Sequence, residues 1–107
     1  MSKIAAYTKD NFQSEVLDAQ GVTVVRFWAA WCGPCTAMKP IFHDVANELA
    51  SHASFGEVDI DSSPEIANAF GIRSIPTVLV FKDGKPVDGI VGGAPKNLLI
   101  DNIRGKL

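Results

Sequence analysis

The residues with the clearest chemical potential are two cysteines, Cys32 and Cys35, and the chain contains no others. They stand in the stretch Trp31-Cys32-Gly33-Pro34-Cys35, after an apolar run and before an amphipathic pattern. Two thiols at this spacing, where a strand passes into a helix, predict a reversible disulfide at a helix N-terminus. The chemistry that these residues indicate is thiol–disulfide exchange.

The position of each thiol predicts its role. The free N–H groups and the positive dipole end at a helix start favour the anion of Cys32, which makes it the expected nucleophile. Cys35 lies one turn further on and faces inward, so burial keeps it protonated until it acts as the resolving thiol. Gly33 leaves room for a partner's backbone, Pro34 rigidifies the turn, and Trp31 should be exposed for contact with a partner.

Two other uses of the cysteine pair are open at this point. Cys-x-x-Cys also supplies half of a tetrahedral zinc site, whose other ligands would have to be His43 and His52. His43 falls on the polar side of the predicted helix and His52 beyond its end, so we interpret both as surface residues and expect no metal. A purely structural disulfide would close too short a loop to stabilise the fold more than modestly.

Composition limits the other function classes. The formal net charge is −2, and the basic residues are spread singly, which argues against nucleic-acid binding. No apolar stretch is long enough to span a bilayer. Residues 1–7 lack the apolar core of a signal peptide, so we expect a cytoplasmic protein. The length of 107 residues predicts one domain over residues 1–107, and we expect a monomer.

The hydrophobic pattern predicts the element order β-α-β-α-β-α-β-β-α. Strands are expected at residues 4–7, 22–30, 55–60, 77–81 and 87–91, and helices at 8–21, 34–49, 64–70 and 95–107. Early alternation of strand and helix requires parallel strands, whereas the turn at Asp83-Gly84 joins a late antiparallel hairpin. The prediction is an α/β fold whose central mixed sheet carries helices on both faces.

At WCGPC, and in this element order, the chain resembles the thioredoxins over essentially its whole length. Further shared motifs are Phe27-Trp28-Ala29, Pro40, Val58-Asp59-Ile60-Asp61, Ile75-Pro76-Thr77, Phe81-Lys82-Asp83-Gly84 and Gly92. The resemblance implies a thioredoxin fold with four helices and a reductase of protein disulfides. A lowered thiol pKa at the first cysteine is an established property of this family.

The resemblance also implies partners and a substrate-binding surface. The implied partner is thioredoxin reductase, a flavoprotein that would reduce the disulfide with electrons from NADPH. The chain itself would bind no cofactor. Ile75, Val91 and Gly92 match the family's substrate groove, and the Ile75–Pro76 bond matches its cis proline. Thioredoxin folds also serve as binding subunits without redox turnover, and this second role stays open.

Arg26 and Glu57 are the largest departure from the family pattern. Thioredoxins usually carry a buried Asp where this chain has Arg26, and frequently a Lys where it has Glu57. We predict a partly buried Arg26–Glu57 ion pair, with Glu57 accepting the Cys35 proton and Arg26 favouring the thiolate. The alternative is that Arg26 extends to solvent along its alkyl stem and Glu57 is an ordinary surface residue.

Overall fold

A five-stranded mixed sheet forms the centre of the computed structural model, which describes residues 4–107. The strands are β1 (Ile4–Ala6), β2 (Val22–Trp28), β3 (Ala53–Asp59), β4 (Thr77–Lys82) and β5 (Lys85–Val91). Their order across the sheet is β1-β3-β2-β4-β5. The first three strands are mutually parallel, whereas β4 runs antiparallel to β2 and β5 antiparallel to β4. This confirms the predicted mixed sheet with a late hairpin.

Four helical segments connect and cover the strands. They are a short π-helical segment (Gln13–Leu17) and the α-helices α1 (Gly33–Glu48), α2 (Pro64–Ala69) and α3 (Lys96–Arg104). The first is shorter than the predicted helix over residues 8–21. A turn precedes it, in which the Thr8 hydroxyl accepts a hydrogen bond from the Asp10 amide at 3.2 Å. The other helices begin within one residue of the prolines that predicted their starts.

The central strand β2 separates two apolar cores, because alternate side chains point to opposite faces. On one face, Val24 packs with Phe42 of α1 and Leu99 of α3. On the other face, Phe27 packs with Val16 of the π-helical segment and Ile66 of α2. Both faces of the sheet are therefore covered, as the nearly continuous apolar run in β2 predicted.

Three details differ from the expectations. The sequence pattern places Leu107 on the inward face of the last helix, but α3 ends at Arg104 and Leu107 is 47% exposed. A serine directly before Pro64 predicts a helix cap, but the Ser63 hydroxyl makes no capping hydrogen bond. His43 is half-buried rather than on the surface: its Nε2 is enclosed and has no hydrogen-bond partner.

Candidate active site

The two cysteines form a disulfide at the start of α1. Cys32 is the residue that precedes the helix, with extended backbone angles, and the Cys35 amide donates to its Sγ at 3.2 Å. Cys32 also accepts from the Thr36 amide through its carbonyl oxygen, at 3.2 Å. The first turn of the helix thus directs an N–H group at the sulfur of Cys32, which is the arrangement that stabilises a thiolate there.

A second wall of the site comes from the segment before β4. The carbonyl oxygen of Ile75 lies 3.8 Å from Cys32 Sγ. The Ile75–Pro76 peptide bond is cis, and the carbonyl of Pro76 accepts from the Gly92 amide at 2.8 Å. Two segments distant in sequence therefore meet at Cys32 Sγ, and the loop at Gly92 is hydrogen-bonded to the second of them.

Exposed apolar side chains flank the disulfide. Trp31 and Val91 are 69% and 70% exposed, which makes them the most exposed of the large apolar residues in the described part of the chain. The indole Nε1 of Trp31 donates to the Asp61 carboxylate at 2.9 Å, and this bond fixes the orientation of the ring. Sequence reasoning did not assign a role to Asp61, although the residue lies in one of the recognised motifs.

Arg26 and Glu57 form an ion pair beneath the disulfide. They occupy directly opposed positions on β2 and β3. Arg26 donates through Nε and Nη2 to Glu57 Oε2, at 2.8 and 2.6 Å. The side chains are 2% and 16% exposed, so the alternative of a solvent-directed Arg26 is wrong and the predicted pair is present.

The remaining guanidinium nitrogen connects this pair to the active-site helix. Arg26 Nη1 donates to the carbonyl oxygen of Cys35 at 2.8 Å, and its Cζ lies 5.6 Å from the centre of the Phe42 ring. A cavity of about 140 Å³ is bounded by Arg26, Glu57 and Cys35, together with Lys39. Sequence reasoning missed Lys39, which no motif singled out. Glu57 and the resolving cysteine therefore line the same cavity.

Within residues 4–107, no three His, Cys, Asp or Glu side chains converge in a way that could hold a metal ion. Over the same residues, no helix has both the length and the apolar character needed to cross a bilayer.

The comparisons with known proteins agree on one family for this chain. A sequence profile of the thioredoxin family matches residues 3–105. A thioredoxin of Chlorobaculum thiosulfatiphilum is 44% identical over 90% of this chain and 89% of its own length. Thioredoxin 1 of Synechococcus elongatus is 41% identical over 96% of both chains, and Thioredoxin 1 of a Nostoc species is 39% identical over the full length of both. With a cysteine pair that forms a disulfide at the start of a helix, the chain belongs to the thioredoxin family and is a thiol-disulfide oxidoreductase.

Proposed function

We propose that the chain reduces disulfides of other proteins through the reversible Cys32–Cys35 disulfide. The observation that carries this proposal is the Cys35 amide directed at Cys32 Sγ at the start of α1. That contact favours a thiolate on Cys32 once the pair is reduced. Cys32 is also the more exposed of the two cysteines, at 5% against 1%, which supports its role as the nucleophile.

The exchange proceeds in two displacements. The Cys32 thiolate attacks one sulfur of a substrate disulfide, forms a mixed disulfide and releases the other substrate sulfur as a thiolate. Cys35 then gives up its proton and attacks Cys32, which releases the second substrate thiol and leaves the Cys32–Cys35 disulfide. Two electrons pass from the cysteine pair to the substrate.

Glu57 and Arg26 assist the second displacement in this proposal. Glu57 accepts the Cys35 proton through water in the shared cavity, because its carboxylate bounds that space. Arg26 favours the Cys35 thiolate electrostatically, through a guanidinium that stays charged at any working pH. Support for these roles comes from the hydrogen bond of Arg26 to the Cys35 carbonyl and from the cavity that Glu57 and Cys35 both line.

The substrate lies across the exposed rim of the disulfide. Trp31 and Val91 offer apolar surface, and the Ile75 backbone pairs with an extended substrate segment, as its approach to Cys32 Sγ suggests. The remaining proposed contacts are with the turns of the site: Gly33, Pro34, Pro76 and Gly92. Electrons come from NADPH through a flavoprotein thioredoxin reductase, and the protein acts as a monomer in the cytoplasm; family membership supports these points.

Trapping of covalent intermediates tests the assignment of the two cysteines. Cys35→Ser should accumulate mixed disulfides with a substrate such as insulin, because the second displacement is lost. Cys32→Ser should accumulate none, because the attacking thiolate is absent. The products are separated on a non-reducing gel and identified by mass spectrometry.

Turnover of the unmodified chain is the companion measurement. With dithiothreitol as the electron donor, the chain should accelerate the reduction of insulin, whereas both serine variants should not. Mixed disulfides that form through Cys35 in the Cys32→Ser variant would contradict the assignment of roles. A chain that does not accelerate insulin reduction would contradict the proposed function itself.

A further inference from the structure

The chain contains two Asp-Gly pairs, Asp83-Gly84 and Asp88-Gly89. In such a pair the side-chain carboxyl is open to attack by the next backbone nitrogen, because glycine has no side chain that shields this nitrogen or restricts its rotation. The attack closes a cyclic imide and expels water. Hydrolysis of the imide then gives either aspartate or isoaspartate, in which the main chain runs through the former side-chain carboxyl. The two pairs are alike in sequence but differ in their surroundings.

The fold holds Asp83 away from this reaction. Its carboxylate accepts from the Gly21 amide at 2.7 Å, and its own amide donates to the Gly21 carbonyl at 2.9 Å. Gly84 packs so closely against the main chain that a Cβ there would overlap the Leu17 carbonyl. The carboxyl of Asp83 is therefore held on Gly21, and the contact with Leu17 resists the rotation of the following peptide that ring closure needs.

Asp88 has the opposite arrangement. The Gly89 amide donates to Asp88 Oδ1 at 2.8 Å, so the nitrogen that would attack already lies beside the carboxyl. Proximity of this kind accelerates ring closure, because the two groups need not first find each other. β5 is the last strand of the sheet, and Gly89 is exposed on it. The Asp88 carboxylate also lies 4.0 Å from Lys106 Nζ, but these side chains are 30% and 35% exposed, and so loose an ion pair restrains Asp88 weakly.

We infer that Asp88-Gly89 is a modification site, at which the folded chain converts Asp88 into isoaspartate without an enzyme. The Gly89 nitrogen loses its proton and forms a bond to Asp88 Cγ, and the carboxyl loses one oxygen as water. Water then adds to the imide and breaks the bond between this nitrogen and the original main-chain carbonyl carbon of Asp88. The main chain gains the side-chain methylene, and the former main-chain carbonyl becomes the free carboxylate. The step needs no oxidant or reductant.

The modification should reach the disulfide site through β5. This strand ends at Val91, whose exposed side chain flanks the disulfide, and the next residue is Gly92, whose amide donates to the Pro76 carbonyl at 2.8 Å. A methylene added to the main chain at Asp88 changes the spacing along a strand that rises only about 3.3 Å per residue. The modified chain should therefore reduce insulin more slowly. This consequence rests on the proposed function, whereas the modification itself does not.

Quantitative peptide mapping tests the site. The oxidised chain is kept folded at physiological pH and temperature for several weeks, and isoaspartate at positions 83 and 88 is measured by mass spectrometry with electron-transfer dissociation. The same chain unfolded in guanidinium chloride gives the intrinsic rate at each position. After division by this intrinsic rate, isoaspartate should form at Asp88 roughly tenfold faster than at Asp83.

Gly89→Ala should suppress isoaspartate at position 88, because its methyl group shields the attacking nitrogen. The φ of Gly89 is outside the left-handed region, and a Cβ there would meet only the end of the Leu79 side chain, at 3.1 Å. Gly105→Ala is the matched control, since it adds the same methyl group far along the chain, and it should leave isoaspartate at position 88 unchanged. Thermal midpoints show whether both variants are folded.

Insulin reduction by aged and fresh chains tests the consequence. Asp88→Glu is the control, because it keeps the charge but would have to close a larger ring, so its activity should not fall with age. A normalised rate at Asp88 no greater than that at Asp83 would overturn the modification site. Isoaspartate at position 88 without a loss of activity relative to Asp88→Glu would overturn its effect on the disulfide site. A fresh chain that does not reduce insulin would instead overturn the proposed function.

Discussion

At the level of single residues, the most unusual feature is a permanent cation enclosed beneath a redox disulfide. Arg26 is 1% exposed, and a cation so deeply buried is tolerated only when it is paired and hydrogen-bonded. Glu57 takes two of its hydrogen bonds and the Cys35 carbonyl takes a third. The guanidinium therefore bridges the Glu57 carboxylate and the main chain of Cys35.

Glu57→Gln should reduce both stability and the rate of resolution. Loss of the carboxylate leaves Arg26 buried without a counter-ion, which should lower the free energy of unfolding by about 3 kcal/mol. Resolution of a preformed mixed disulfide should slow by roughly 100-fold near neutral pH, because the proposed acceptor of the Cys35 proton is gone. The deficit should shrink as pH rises, since hydroxide can take the same proton.

Denaturant midpoints and the pH dependence of mixed-disulfide resolution check this prediction. Glu48→Gln is the matched control, since Glu48 pairs with Lys96 at the surface, where the side chains are 42% and 46% exposed. Its effect should stay below about 1 kcal/mol. If Glu57→Gln changes stability no more than the control does and leaves the pH profile intact, Glu57 has neither role.

At the level of elements, the β4–β5 turn packs against the π-helical segment. Asp83 and Gly84 have φ angles of 50° and 81°, the left-handed conformation that a tight hairpin turn requires. A Cβ at Gly84 would overlap the backbone carbonyl of Leu17. Asp83 also accepts from the Gly21 amide through its carboxylate, at 2.7 Å. The turn thus joins the hairpin to the segment that precedes β2.

Gly84→Ala should lower the free energy of unfolding by about 2–3 kcal/mol, because it adds backbone strain and a collision with main-chain atoms. Gly105→Ala is the control: its φ is −64°, and a Cβ there would meet only ordinary contacts at 3.4 Å or more. That variant should stay within about 0.5 kcal/mol of the unmodified chain. Urea unfolding followed by circular dichroism measures both, and equal effects of the two substitutions would refute the proposed packing constraint.

At the level of the whole molecule, one buried phenol links global stability to pH. Tyr7 is 4% exposed, its ring covers Gly56, and its amide donates to the Glu57 carbonyl at 2.9 Å. Burial, and to a lesser extent the charge of Glu15, raises the pKa of Tyr7 to about 12 from the ordinary value of 10.0. Ionisation of this side chain is therefore coupled to unfolding.

Stability should fall between pH 10 and 12. Below pH 10 the phenol is protonated in both states, so Tyr7 adds no pH dependence. Between the two pKa values the unfolded chain loses the proton while the folded chain keeps it, and the free energy of unfolding should drop by about 1.4 kcal/mol per pH unit. Urea midpoints of the oxidised chain and of Tyr7→Phe, compared across this range, isolate the contribution of Tyr7.

Tyr7 is the only tyrosine in the chain, so the phenolate absorbance of the folded protein titrates this residue alone. A folded-state midpoint near pH 10, or the same pH dependence in Tyr7→Phe, would contradict the linkage.

Local sequence determined much of the fold and of the candidate site. The cysteine pair, the proline between the two cysteines and the amphipathic run predicted a disulfide at the start of a helix, because capping and periodicity act within a few residues. The Asp83-Gly84 turn and the alternation of strands and helices predicted the mixed sheet. Strand alternation, together with the departure from the family pattern, also placed Arg26 and Glu57 side by side, because opposed positions on neighbouring strands share a face.

Contacts between segments that are distant in sequence were decided only by the tertiary structure. The contact of Cys32 with the Ile75 carbonyl spans 43 positions, and that of Trp31 with Asp61 spans 30, so no local pattern encodes either distance. Packing of Val16 against the sheet accompanies a short π-helical segment where periodicity predicted an ordinary helix. Each of these features depends on which segments the fold brings together, and a pattern of a few residues does not contain that information.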